Sequence, residues 1–296
     1  MSILTVNNLS KNYGNIQALK DVTFQVPEGS VFGILGPNGS GKTTLLAIVM
    51  SILKPTSGSY QLFNETPTDA HRTKIGTLLE TPNFYHYLSG ARNLRIAAAI
   101  KNVDPADIDR VLDIVNLSHR KNSPFSSYSL GMKQRLAIGA ALLGNPDVLV
   151  FDEPTNGLDP VGIAEIRTLI KKLSHEGKTI IMASHLLDEV EKVCTHVAIL
   201  KQGKLLTSGN VQEIFTHDDI VQISSENNLH LIKVLPNMPG YNKHITEGNF
   251  IDVYYDAGVT NITSLNAYCF SQGVTLSHLQ LKKQSLENKF FELTNS

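Results

Sequence analysis

The hydrophobic pattern of the chain changes period several times, and each change marks an element. From Ile3 to about Gly29 apolar and polar positions alternate, as in Ile3, Thr5, Val6 and then Val22-Thr23-Phe24-Gln25-Val26. That period predicts antiparallel strands with Tyr13-Gly14 in the turn between them. Val31-Phe32-Gly33-Ile34-Leu35 is an unbroken apolar run, read as a buried strand, and Leu45-Leu46-Ala47-Ile48-Val49 is read as a helix. The turn Lys54-Pro55-Thr56-Ser57-Gly58-Ser59 ends that helix. Strands are expected at Tyr60–Phe63 and Lys74–Leu79, the second stopping at Glu80-Thr81-Pro82. Between Leu88 and Leu143 the period becomes helical: Leu94, Ala97, Ala98 and Lys101 share one face, and Ile108, Val111, Leu112 and Val115 another, closed by Asn116 and Ser118. Then strand and helix alternate: Val148–Phe151, the amphipathic Ile163–Leu173 with Ile166 and Ile170 on its apolar side, and Thr179–Ala183. Such alternation predicts an α/β fold with a mainly parallel sheet and a helical insertion. Ligands of such sheets sit at the carboxyl ends of the strands.

Beyond Gly209–Phe215 the composition shifts toward Asn, His and Ser. Strands are expected at Asp219–Ser224, Lys243–Thr246, Phe250–Tyr255 and Thr275–Leu281, and helices at Leu229–Leu235, Ile262–Gln272 and Ser285–Leu293. The expected division is therefore a first domain over residues 1–215, with its helical part at about 86–145, and a small α+β accessory domain over 216–296. Charge adds an exclusion. With 26 Lys plus Arg against 27 Asp plus Glu in 296 residues, the net charge is -1, so no global basic field calls for nucleic acid. Cys194 and Cys269 lack metal spacing and read as free buried thiols of a reducing compartment. The N-terminus has no signal-peptide pattern, and no apolar run approaches the ~18 residues of a membrane span. A cytoplasmic chain is expected, with any membrane role exercised through a partner.

The chemistry concentrates in three places. Gly36-Pro37-Asn38-Gly39-Ser40-Gly41-Lys42-Thr43-Thr44 matches the phosphate-binding loop G-x-x-x-x-G-K-[ST], between a strand and a helix as that motif requires. Its glycines let backbone N–H groups point inward, Lys42 can reach β- and γ-phosphates, and the Thr43 hydroxyl can ligate Mg²⁺. The strand ending in Asp152-Glu153 supplies a carboxylate for Mg²⁺ and, in Glu153, a candidate general base for an attacking water. His185 ends the strand Thr179–Ala183 at the same sheet edge, where it could sense a γ-phosphate.

A further segment, Tyr128-Ser129-Leu130-Gly131-Met132-Lys133-Gln134-Arg135-Leu136, resembles the LSGGQ signature followed by KQRL. With the loop and the Asp-Glu strand, it makes residues 1 to 215 resemble the ATP-binding cassette of ABC transporters, a P-loop NTPase fold with a mainly parallel core sheet, an antiparallel β subdomain and a helical subdomain. The resemblance implies a head-to-tail pair of cassettes with ATP between the loop of one and the signature of the other. Ser129 and Gly131 would bind the γ-phosphate of ATP held by the second subunit, and Tyr13 would stack on adenine. Asp159 would communicate across the dimer, His185 would be the switch histidine, and Thr43, Asp152 and Glu80 would lie at Mg²⁺. Leu130 and Met132 replace a glycine and the glutamine of the signature, and Glu80 stands where the family usually has a glutamine. These departures, with Phe84-Tyr85-His86-Tyr87-Leu88-Ser89-Gly90, resemble exporter cassettes of the bacitracin-resistance and lantibiotic-immunity type. The expected function is an ATPase subunit, a homodimer on the cytoplasmic face of the membrane, driving a separate integral membrane permease that exports a drug or peptide antibiotic. The alternative is a soluble cassette regulating a non-transport assembly.

Overall fold

The structure, a computed structural model, describes residues 1–79, 83–214, 219–255 and 262–282. It divides into two compact units, Met1–Ile214 and a second beginning at Phe215. The first unit opens with the long hairpin β1 (Ser2–Tyr13) and β2 (Ile16–Pro27), followed by β3 (Val31–Leu35) and α1 (Lys42–Val49). Next come β4 (Ser57–Leu62), the single turn α2 (Asp69–Arg72) and β5 (Ile75–Leu78). Three helices then run together, α3 (Gly90–Lys101), α4 (Asp107–Ile114) and α5 (Leu130–Leu142). The chain returns to the sheet through β6 (Val148–Asp152), α6 (Pro160–His175), β7 (Thr179–Ser184) and α7 (Leu187–Val193), and closes with β8 (His196–Lys201), β9 (Lys204–Asn210) and α8 (Val211–Ile214).

The strands form one nine-stranded sheet in the order β4-β1-β2-β9-β8-β3-β7-β6-β5. Its centre is parallel: β3 pairs with β7 and β8, and β6 with β5 and β7. Every residue of β3, β6 and β7 is buried, which is why these strands read as unbroken apolar runs rather than alternating ones. The antiparallel part expected from the alternating N-terminal pattern is β1 with β2 and β4. It is joined to the core where Lys20 of β2 pairs with Lys204 of β9. The junction depends on Gly203, whose φ of +80° suits glycine and where a Cβ would meet the Ala18 carbonyl oxygen at 2.7 Å.

Left-handed residues explain where element ends differ from the expected ones. β4 stops at Leu62 rather than Phe63 because Phe63 and Asn64 have φ of 53° and 62°. The helical stretch breaks after α3 at Asn102 (φ 55°) and after α4 at Asn116 (φ 54°), residues whose short polar side chains tolerate that region. Ser89 caps α3 by accepting from the Arg92 N–H, and Ile108, Val111 and Leu112 bury one side of α4. α5 lies close against β5, where a Cβ on Gly76 would meet the Ala141 carbonyl oxygen at 2.2 Å.

The second unit runs β10 (Asp219–Ser225), α9 (Asn228–Val234), β11 (Tyr241–Glu247), β12 (Phe250–Tyr255), α10 (Ile262–Ser271) and β13 (Leu276–Lys282). Its sheet order is β11-β12-β10-β13, with antiparallel neighbours throughout. This βαββαβ order with interleaved strands is the ferredoxin-like arrangement. Val221, Ile223, Ile251, Val253 and Tyr255 pack on Leu231, Leu235, Leu265 and Cys269. Asp252, though only 5% exposed, accepts from Gln222 Nε2 at 3.0 Å and Lys282 Nζ at 2.7 Å. Asp252→Ala takes the acceptor from Gln222 and leaves Lys282 with Glu247 at 3.8 Å, so we expect a loss of about 1 kcal/mol in the unfolding transition of this unit, read by urea denaturation of the full chain. The helix expected at Ser285–Leu293 and the strand-end residue Glu80 lie outside the described residues. Among the described residues no helix is long and apolar enough to cross a membrane, and no group of three His, Cys, Asp or Glu side chains could hold a metal.

Candidate functional site

Three central strands end side by side. Leu35 of β3 is level with Ser184 of β7, and Asp152 of β6 with Ala183. The segments that follow are stitched to the same β7 end: Gly36 N–H donates to the Ser184 carbonyl at 3.3 Å, and Glu153 N–H to the Ala183 carbonyl at 3.0 Å. His185 therefore emerges between the glycine loop and Glu153.

The loop is shaped by what its glycines leave out. A Cβ on Gly36 would lie 2.3 Å from the Leu200 carbonyl oxygen and 2.5 Å from Ser40 Oγ. Gly41, the residue before α1, has φ of +106° and faces the Ala18 carbonyl oxygen, 2.6 Å from where its Cβ would be. Gly39 also takes a positive φ, +79°. From behind, Gly203 N–H donates to the Ser40 carbonyl at 3.0 Å. This backing sits in the β8–β9 hairpin, whose Gln202-Gly203 turn has positive φ at both positions; the glycine between two polar-flanked strands is the one trace of it in the sequence. Pro37, Asn38 and Gly39 are exposed, Thr43 is exposed and Thr44 half-buried at the start of α1. The first amides of that helix have no acceptor within it, and its dipole adds positive potential there. Ser40 Oγ is buried without a hydrogen-bond partner. A buried polar atom in that state, just ahead of the start of α1, fits an oxygen-rich anion. Because Gly36 has no room for a methyl group, Gly36→Ala should cost about 2 kcal/mol of stability in chemical denaturation and weaken nucleotide binding with it.

The charged groups form one cluster. Lys42, 6% exposed, donates from Nζ to the Gly36 carbonyl at 2.8 Å and to Pro37 at 3.3 Å, and lies 3.3 Å from Glu153 Oε1. The other carboxylate oxygen, Oε2, is 2.8 Å from His185 Nδ1. Glu153 has φ of +48°, a conformation rarely held by a residue with a side chain and found where surrounding structure enforces it, often at functional sites. Asp152 beside it is buried at the strand end. The Lys42–Glu153 contact is silent in the sequence, where the two residues stand over a hundred positions apart.

The remaining sequence-derived candidates lie outside this cluster. Ser129 caps α5, its Oγ accepting from Met132 N–H at 3.2 Å, and it is exposed, with Gly131 half-buried one residue beyond the exposed Leu130. The preceding Tyr128 is buried and donates its hydroxyl to the Arg120 carbonyl at 2.8 Å, which fixes where the exposed turn begins. Asp159 caps α6, accepting from Gly162 N–H at 2.9 Å. Tyr13, 45% exposed at the hairpin tip, carries Lys11 Nζ over its ring at 5.2 Å. Glu80 is outside the described residues. Cys194 is enclosed against Gly33, and burial pushes its thiol up, so it stays protonated and packs as an apolar group.

Comparison with known proteins bears on this arrangement. Residues 19–156 match the family described as ABC transporter. The chain is 40% identical over 217 residues to a bacitracin transport ATP-binding protein, BcrA, of Enterococcus faecalis, covering 72% of this chain and 70% of that protein. It is 36% identical to the lantibiotic transport ATP-binding protein SrtF of Streptococcus pyogenes, covering 73% of this chain and 96% of that one. Among solved structures it is similar to cbiO1 of Clostridium perfringens, described as part of the ABC transporter complex cbiONQ, with a TM-score of 0.67 and 32% identity over 80% of this chain and 96% of that one.

Proposed function

This chain belongs to the ABC transporter family, as an ATP-binding subunit, and from that premise we propose that it hydrolyses ATP to drive export through a separate membrane permease. The observation that carries the reading is the Lys42–Glu153–His185 cluster at the mouth of the glycine loop. ATP entering the loop offers its β- and γ-phosphates to Lys42, which then gives up Glu153. The released carboxylate, held on its other side by His185, orients a water toward the γ-phosphate and takes its proton. Thr43 and Asp152 are the residues that would hold Mg²⁺, with Glu80 assigned near it. When bound, the ion offsets phosphate charge. Tyr13 is assigned to the adenine, and Ser129 and Gly131, at the N-terminus of α5, to the γ-phosphate of ATP held by a second copy of the chain, with Asp159 at the contact between copies. His185 then links the state of the phosphate to Glu153.

We assign residues 1–215 to the cassette and 216–296 to an accessory domain. A groove of about 400 Å³ lined by Phe84, Tyr85, Ile96, Ala97 and Ile100, with Tyr85 and Ile100 exposed, supports a permease contact on the helical part. The relatives named for bacitracin and lantibiotic transport support a peptide antibiotic or similar compound as cargo, and we assign the chain a peripheral position on the cytoplasmic face of the membrane. Co-purification of the tagged chain from membranes tests this. Mass spectrometry is expected to find a protein with several apolar spans as its stoichiometric partner. Recovery of a ribosomal or other soluble assembly, and of no membrane protein, would refute the exporter reading.

A further inference from the structure

Helix α6 carries ion pairs on two sides. Glu165 lies with Oε2 3.5 Å from Nε of Arg135 on α5. Arg167, two residues on, grips Glu189 of α7 as a fork, with Nη2 2.5 Å from Oε1 and Nε 3.4 Å from Oε2. Two residues advance a helix by about 200°, so the two contacts face nearly opposite ways. The helices they reach carry different halves of the chemistry. α5 begins at its cap Ser129, whereas α7 begins just after His185. α6 itself starts at its cap Asp159, a few residues after Glu153.

The two pairs differ in burial: the Arg167–Glu189 fork is largely enclosed, whereas Glu165 is 45% exposed and meets Arg135 at 3.5 Å from the rim. Glu189 is almost fully buried, and its hydrogen bond holds the Arg167 guanidinium above its ordinary value. The Arg135 side chain is 13% exposed and also donates from Nη1 to the Val115 and Asn116 carbonyls at the end of α4, at 3.4 and 3.3 Å. Beside Arg135 and Glu165 lies an open groove of about 380 Å³, bordered by Val115, Val161 and Leu169. Beside this groove the Arg135–Glu165 pair is a polar link between α5 and α6.

We propose that α6 is a strut and that Glu165 and Arg167 are positioning residues: through Arg135 and Glu189 they hold the Ser129 end of α5 and the His185 end of α7 in one register. The proposal rests on the functional reading above, in which Ser129 serves a second copy's nucleotide while His185 and Glu153 serve this chain's own. A shift of α6 then moves the donor half and the hydrolytic half together, which couples the two nucleotide sites of the pair.

Charge reversal tests it in the full-length chain. Glu165→Arg is expected to lower kcat for ATP hydrolysis about tenfold. Affinity for a fluorescent ATP analogue, read on the isolated chain below the dimerising concentration, should stay unchanged because the glycine loop is untouched. Glu165→Asp, which keeps the carboxylate opposite Arg135, is expected to retain most of the wild-type kcat, a rescue by the conservative variant that a merely structural role would not show. Glu165→Gln, which keeps the size of the side chain, replaces the reversal if that variant fails to fold and should show the same split between kcat and binding. Wild-type kcat in Glu165→Arg and Glu165→Gln, or a Glu165→Asp variant no more active than Glu165→Arg, overturns the strut alone. A wild-type chain that does not hydrolyse ATP overturns the functional reading, and the strut with it.

Discussion

Replacing Glu153 with glutamine is expected to lower kcat for ATP hydrolysis by about 10²–10⁴-fold while leaving the nucleotide bound. The residue follows the buried strand-end Asp152, in a left-handed conformation that its neighbours enforce, with one oxygen toward Lys42 and the other toward His185. Glutamine preserves its size and can still hydrogen-bond His185, but it cannot take a proton from water. It also removes the ion pair that holds Lys42 away from phosphate. ATP affinity should therefore be equal to wild type or higher, and the ATP-bound pair of cassettes should accumulate. Phosphate release gives the rate, and light scattering after size exclusion in ATP and Mg²⁺ gives the mass. A variant that retains more than a tenth of wild-type turnover, or stays monomeric with ATP, would refute the assignment of Glu153 as base.

The legible part of this site was the part written in local backbone chemistry. The glycine spacing of Gly36–Lys42 demands a loop between strand and helix whatever the rest of the chain does, and the structure has β3 and α1 there. The acids after Val148–Phe151 stand out because a buried apolar strand ends on them. The chain segments of the second unit were likewise visible as alternating runs, yet their order was not. Alternation identifies a strand's faces but not its neighbours. Nothing in the run Phe250–Tyr255 says that it lies between β11 and β10, or that Asp252 will be met there by Gln222 and Lys282. The same holds for the joining of the antiparallel strands to the core, which depends on one close approach at Gly203. Ion pairs between distant helices, such as Arg167 with Glu189, are silent for the same reason: each residue alone reads as an ordinary solvated charge.

Lys42→Ala should have the largest effect on binding. The amine is nearly enclosed, and on nucleotide entry it exchanges Glu153 for phosphate oxygens, contacts of the charge-assisted kind. Losing it is expected to weaken ATP by about 3 kcal/mol, on the order of 100-fold in Kd, with turnover at fixed ATP falling at least as far. Titration calorimetry measures the first and phosphate release the second. The nucleotide-free protein supplies an independent check. There Lys42 bridges the Gly36 and Pro37 carbonyls to Glu153, so its removal leaves a strained, half-enclosed carboxylate with His185 as its one remaining partner in the cluster. Lys42→Ala should thus lower stability without ATP by about 1–2 kcal/mol. In the double variant with Glu153→Gln this loss should shrink, because the stranded charge is gone, and the two changes will be non-additive. Lys42→Arg is a poor substitute, since a planar guanidinium needs room that a side chain 6% exposed between two carbonyls does not have. Additive stability losses, or ATP affinity within a factor of three of wild type in Lys42→Ala, would show that the loop binds phosphate without this lysine and that the Lys42–Glu153 exchange is not how the cycle begins.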